Sequence, residues 1–145
     1  MKPSINYLAV VISAVVKFAL GVLWYSPGLF GNPWMHYTGV TEQQAAESNM
    51  AVIFSGSFVL YLLQAYILAH FVHYTGSKDA KDGAQTGFWI WLGFMATLLL
   101  QGTLYERKAI ALWAINAGYE LLSMLVMGVI LVAWRKNGAT QTTSA

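Results

Sequence analysis

Two ionisable residues, Lys17 and Glu120, stand inside otherwise apolar stretches of this sequence, and they are the residues best placed to do chemistry. At the centre of a helix crossing a bilayer a charge costs about 2.5 to 3.5 kcal/mol on insertion scales, so neither should face lipid. At about 1.5 Å per residue, Lys17 lies roughly 18 Å into the first apolar run and Glu120 roughly 16 Å into the last, entered from the opposite side. In a core about 30 Å thick those depths differ by about 4 Å, a gap that a lysine stem can span. The two should therefore pair across the molecule, with Asn116, one turn from Glu120, as a second partner. Such a pair can fix the register of two helices. It can equally exchange a proton or take a cation in a water-filled cavity, with Lys17 tuning Glu120 or giving way to the ligand.

Other chemistry is thin. His70 and His73 lie one turn apart and make a weak metal candidate, because no carboxylate or third histidine stands beside them. No metal and no cofactor is expected, and both residues read more simply as interfacial histidines, as does His36. A lipid-acting enzyme would need His36, Glu42 or Glu47, which no spacing selects; nucleophile motifs, phosphate-binding glycine loops and paired carboxylates are missing. The expectation is a non-enzyme. The chain has no cysteine, which excludes disulfides and thiolate chemistry, and its formal charge of +2 gives no reason to expect a nucleic-acid partner.

The elements that must position Lys17 and Glu120 follow from composition. The 145 residues are 57% hydrophobic and 10% charged, against roughly 25% charged in an average soluble domain. Twelve of the 14 charged residues fall in short polar stretches or at the ends. Four apolar windows between them, residues 5–24, 50–72, 84–104 and 109–134, each have about the 20 residues that a bilayer-spanning helix needs. The fold class is all-α: one transmembrane domain, a polytopic four-helix bundle in the lipid bilayer. The first window reads as a retained helix, since Lys17 interrupts it and Gly21-Val22-Leu23-Trp24 offers no small-x-small cleavage site. Lys2, Lys78, Lys81, Arg135 and Lys136 fall on one side and Arg107 and Lys108 on the other, which favours a multi-pass protein of the cell membrane with both termini cytoplasmic. Trp24, Tyr25, Trp34, Tyr37 and Tyr105 would mark the outer interface, and Tyr7, Tyr74, Trp89 and Trp134 the inner one.

The outer loop, residues 25–49, opens on Ser26-Pro27-Gly28, which should stop the first helix. The run from Asn32-Pro33 to Tyr37 should lie at headgroup depth. Thr41-x-x-Gln44 is a capping box for a helix expected to continue into the second span, and Asp82 is the expected N-cap of the third. The turn at Glu106-Arg107-Lys108 should make the last two helices antiparallel neighbours. Arg135-Lys136-Asn137-Gly138 should end the fourth helix, with 138–145 a disordered tail.

Polar and small residues recur at helical spacing in every span: Asn6, Ser13, Lys17, Gly21; Ser57, Tyr61, Gln64; Thr86, Gly93, Thr97, Gln101; and Asn116, Glu120, Ser123, Met127. Four such stripes imply a polar interior with apolar faces toward lipid. The candidate ligand, proton or ion site is Lys17, Glu120, Asn116, Gln64 and Gln101.

The run Gly21-Val-Leu-Trp24-Tyr25-Ser26-Pro27-Gly-Leu-Phe30-Gly31-Asn-Pro-Trp34-Met35, with Ala117-Gly118-Tyr119-Glu-Leu-Leu and Met127-Gly128, resembles the family of small bacterial and archaeal membrane proteins designated domain of unknown function 1761. The resemblance covers almost the whole chain and implies a four-helix membrane protein; it implies no activity. In physical terms Trp24, Tyr25, Ser26, Pro27 and Trp34 are interface anchors around a proline-glycine turn. The functional expectation is binding or conduction of a small solute or ion through the polar interior, with a homodimer expected for transport because four spans make a thin wall. The alternative is a non-transporting accessory protein packed against another membrane protein.

Overall fold

The computed structural model describes residues 4–135 and is all-α. Lys2, Lys136, the Asn137-Gly138 stop and the tail 138–145 lie outside the described residues.

Asn6 starts helix α1 (Tyr7–Trp24) as its N-cap, accepting from the backbone N–H groups of Leu8 and Ala9. Those donors have no partner inside the helix, so the asparagine is occupied at the helix end and is not a member of the interior stripe. Its amide also donates to the Trp134 carbonyl at 2.6 Å, which places both described ends of the chain on one side of the molecule. This is the terminal side, and the opposite one is the loop side.

Past α1 the chain folds into a compact knot. The Ser26 carbonyl accepts from Leu29 and Gly31, and the Trp24 carbonyl from Phe30, each at 3.0 Å. Gly31 is required there, because a Cβ would overlap the carbonyl oxygens of Tyr25 and Ser26. Helix α2 (Gly31–Thr38) ends at Gly39 in a left-handed conformation, and α3 (Glu42–Glu47) begins with the Thr41–Gln44 capping box. The expected continuation into the second span does not occur. Ser48 is extended and bonds back to the Gln44 carbonyl, and Asn49 caps a fresh helix, α4 (Met50–Tyr74), by accepting from Val52. Both side chains compete with the helical ladder for backbone groups.

Helix α5 (Ala80–Ile90) is capped by Asp79, not Asp82. The Asp79 side chain accepts from the Asp82 N–H at 2.9 Å, and Asp82 accepts in turn from Lys78 N–H. The earlier aspartate takes the role because Ala80 and Lys81 are good helix formers that extend the helix one turn toward the terminal side. Asp79→Ala should lower stability by about 1 kcal/mol in thermal unfolding and Asp82→Ala by less; a larger loss at Asp82 would contradict this assignment.

The third span continues through a π-helical stretch (Trp91–Ala96) into α6 (Thr97–Tyr105). A π turn holds an extra residue, so α-helical spacing does not carry across it. The expected stripe breaks there: Thr86 is buried, whereas Gly93, Thr97 and Gln101 are exposed, and Ala96 and Thr103 continue the inward face. Helix α7 (Ile110–Ala133) packs against α1, α4, α5 and α6 and is the axis of the fold. Four helices, Tyr7–Trp24, Met50–Tyr74, Ala80–Tyr105 and Ile110–Ala133, are long and apolar enough to cross a membrane. The surface differs from that of a water-soluble protein, with large apolar side chains such as Leu8, Val52, Leu60 and Phe94 exposed while the polar Lys17, Ser13 and Ser123 are enclosed beside an apolar core.

The tightest contact joins α5 and α7. A Cβ at Gly83 would overlap the Gly128 carbonyl, one at Gly128 the Gly83 carbonyl, and one at Gly87 the Met124 carbonyl. Gly83-x-x-x-Gly87 thus forms the small-residue seam that lets two backbones approach closely.

Candidate functional site

The site forms where α1, α4 and α7 meet. Lys17 is fully enclosed, and its ammonium donates to Glu120 Oε2 at 2.5 Å and to Gln64 Oε1 at 2.6 Å. Its nitrogen also lies 4.8 Å from the ring centre of Tyr61 and 5.3 Å from that of Tyr119, within reach of the negative faces of both rings. Two oxygens and two aromatic faces replace the water that a buried ammonium would lose.

The pair inferred from depth along the two spans is present, but its third member is different. Asn116 accepts from the Tyr25 hydroxyl at 3.0 Å and makes no contact with Lys17; Gln64 takes that place. Spacing along α7 puts Asn116 one turn from Glu120, but the helix turns it toward the loop-side knot, where Tyr25 meets it.

Tyr119 ties the pair to that knot. Its hydroxyl donates to the Lys17 carbonyl at 3.0 Å, and its ring packs edge-on against Tyr25 at 5.4 Å. Trp24 donates to the Ile115 carbonyl at 3.1 Å and packs on Phe30, while Trp34 lies against Tyr25. Of the residues read as interface anchors, Trp24 and Tyr25 therefore direct their polar atoms at α7. Burial raises the Tyr25 phenol above its ordinary pKa, with the Glu120 charge acting in the same direction, so it serves Asn116 as a neutral donor.

On the terminal side of the pair, Ser13 is one turn before Lys17 and Ser123 one turn after Glu120. Both are fully enclosed, and neither hydroxyl has a hydrogen-bond partner. Unpartnered buried hydroxyls are uncommon in folded proteins. Glu120 differs from Lys17 in access, with 19% of its side chain exposed against none for the lysine.

The family model described as a protein of unknown function, DUF1761, matches residues 8–132. The chain belongs to the DUF1761 family. Comparison with curated proteins and with solved structures found no match. The DUF1761 match contains the whole Lys17 cluster and the Trp24–Trp34 knot, and it leaves out the Asn6–Trp134 closure.

Within this DUF1761 chain the remaining candidates lie elsewhere. Gln101 is exposed on α6, rotated away from the cluster beyond the π turn. His70 binds the Tyr66 carbonyl at 2.9 Å and packs edge-on against the Tyr66 ring, and His73 lies edge-on to Tyr74. Among the described residues no three histidine, aspartate or glutamate side chains converge as a metal site would need. Tyr61 stands in the polar stripe of the second span without being a candidate site residue, and Tyr119 is the member of the cluster to which spacing alone assigns no role. Their position one turn from Gln64 and beside Glu120 is the available signal.

Proposed function

We propose that the chain binds a small cationic solute, or exchanges a proton, at Glu120 inside a cell membrane, with both termini on the cytoplasmic side. The observation that supports this is the unequal burial of the pair: Glu120 keeps 19% of its side chain exposed while Lys17 has none exposed. An incoming cation would take the carboxylate in place of the ammonium. Gln64 and the rings of Tyr61 and Tyr119 would keep the released ammonium satisfied, and the hydroxyls of Ser13 and Ser123 would offer further oxygens. Conduction through so thin a bundle would call for a second copy of the chain.

The test is thermal stability of the detergent-purified protein against inorganic cations and small amines, from mildly acidic to mildly alkaline pH, with Glu120→Gln in parallel. A ligand at about a hundred times its Kd should stabilise the native chain by about 2.7 kcal/mol and leave Glu120→Gln unmoved. Equal shifts in both proteins, or none in either, would reject the proposal.

A second function has its own support. Gly56, Gly93 and Gly102 all face open space, and Thr97 and Gln101 share the exposed surface of the third span. Small and polar residues on an outer face suit an accessory protein that packs against another membrane protein. Neither proposal gives the chain a catalytic step.

A further inference from the structure

A groove of about 450 Å³ lies on the terminal side between α4 and α5, away from the Lys17 cluster, and its wall changes character along its length. At one end Thr75, Ser77 and Thr86 form a triangle of hydroxyls, with oxygens 2.8, 3.0 and 3.2 Å apart. Ser77 and Thr86 are more than nine-tenths buried. Asp82 and Gln85 border the same groove, and Phe71, Trp89, Ile90 and Phe94 form the rest of the wall.

Proton counting sets the polarity of the triangle. Thr75 donates to the Phe71 carbonyl at 2.9 Å. With the Thr75 proton on that carbonyl, the protons of Ser77 and Thr86 are taken up by two of the three oxygen–oxygen contacts. The triangle presents lone pairs, and Asp82 adds a carboxylate whose one bonded oxygen accepts from Lys78 N–H. Apart from the Gln85 amide, this pocket end is made of acceptors and favours a donor, a charged one most strongly. Outside the groove wall, Arg135 donates to the Ser77 carbonyl at 2.8 Å, and Lys78 and Lys81 are exposed in the turn that carries Asp82. From Asp82 to Phe94 the groove follows the third span for about 18 Å at about 1.5 Å per residue. Trp89 and Phe94 stay largely exposed along it.

We propose that this groove binds one zwitterionic aminophospholipid. Its primary ammonium lies against Asp82 and the hydroxyl triangle, its phosphate at the rim where Lys78 and Lys81 are exposed, and an acyl chain along Phe71, Trp89, Ile90 and Phe94. The site is independent of the function proposed for Glu120.

The experiment reconstitutes the full chain in phosphatidylcholine vesicles doped with phosphatidylethanolamine or phosphatidylglycerol and reads lipid retained on the extracted protein by native mass spectrometry. Phosphatidylethanolamine should be retained over both other lipids. Retention should fall about tenfold, the worth of one charge-assisted hydrogen bond, in Asp82→Asn and in Gln85→Lys. The second variant leaves the Asp82–Lys78 contact intact and puts a cation where the ammonium would sit, so it tests the site even where Asp82→Asn disturbs the turn. Free ethanolamine should leave the melting temperature unchanged. Equal retention of phosphatidylglycerol, unchanged retention in a folded Gln85→Lys protein, or stabilisation by ethanolamine alone would overturn the proposal.

Discussion

Lys17→Met should destabilise the protein by about 3 to 5 kcal/mol, the usual cost of leaving one partner of a buried ion pair unpaired. The double change Lys17→Met with Glu120→Leu should lose less than the single one. Methionine fills much of the lysine stem's space, so the penalty of the single variant comes from the abandoned carboxylate and not from a cavity. The double variant leaves only the Gln64 oxygen without its donor, and a neutral amide is far cheaper to strand than a carboxylate. Unfolding of the purified variants in mixed detergent measures both. A double variant less stable than the single would mean that Lys17 and Glu120 act through other partners.

A comparable loss is expected at the α5–α7 seam. Gly128→Ala should cost about 3 kcal/mol, at the upper end for an overpacked core, because its new Cβ would meet the backbone of Gly83 and not the end of a flexible side chain. Gly87→Ala should behave likewise against Met124. Gly56→Ala is the control: nothing stands near its Cβ position, and the helix propensity of alanine should leave it neutral or more stable by up to about 1 kcal/mol. Thermal unfolding of the three variants decides the matter, and equal effects at Gly56 and Gly128 would show that the seam does not hold the helices together.

The legible and illegible parts of this chain separate along physical lines. Span positions are legible because a predominantly apolar run of about 20 residues suits a bilayer crossing and little else. The depth of Lys17 against Glu120 is legible because helical rise is constant. Choices between near-equal local options are not. Asp79 and Asp82 are both good caps three residues apart, and the helix propensity of Ala80 and Lys81 between them tips a close balance toward Asp79. The π turn at Trp91–Ala96 has no sequence signature here, so spacing carries Gly93, Thr97 and Gln101 to the wrong face. Asn116 is expected on Lys17 because one-dimensional spacing cannot show that Tyr25, far away in the chain, claims it. Gly83-x-x-x-Gly87 is within reach of sequence reasoning, since its spacing is that of a close helix crossing.

The most direct measurement of the central claim treats the native protein with a small carbodiimide and maps the products by mass spectrometry. Activation of a reachable Glu120 carboxyl, with the Lys17 nitrogen 2.5 Å away, should yield an amide between the two side chains with loss of one water, and a stabilising cation should suppress it. An adduct on Glu120 with Lys17 left free, or no reaction at Glu120 at all, would contradict a paired and accessible carboxylate.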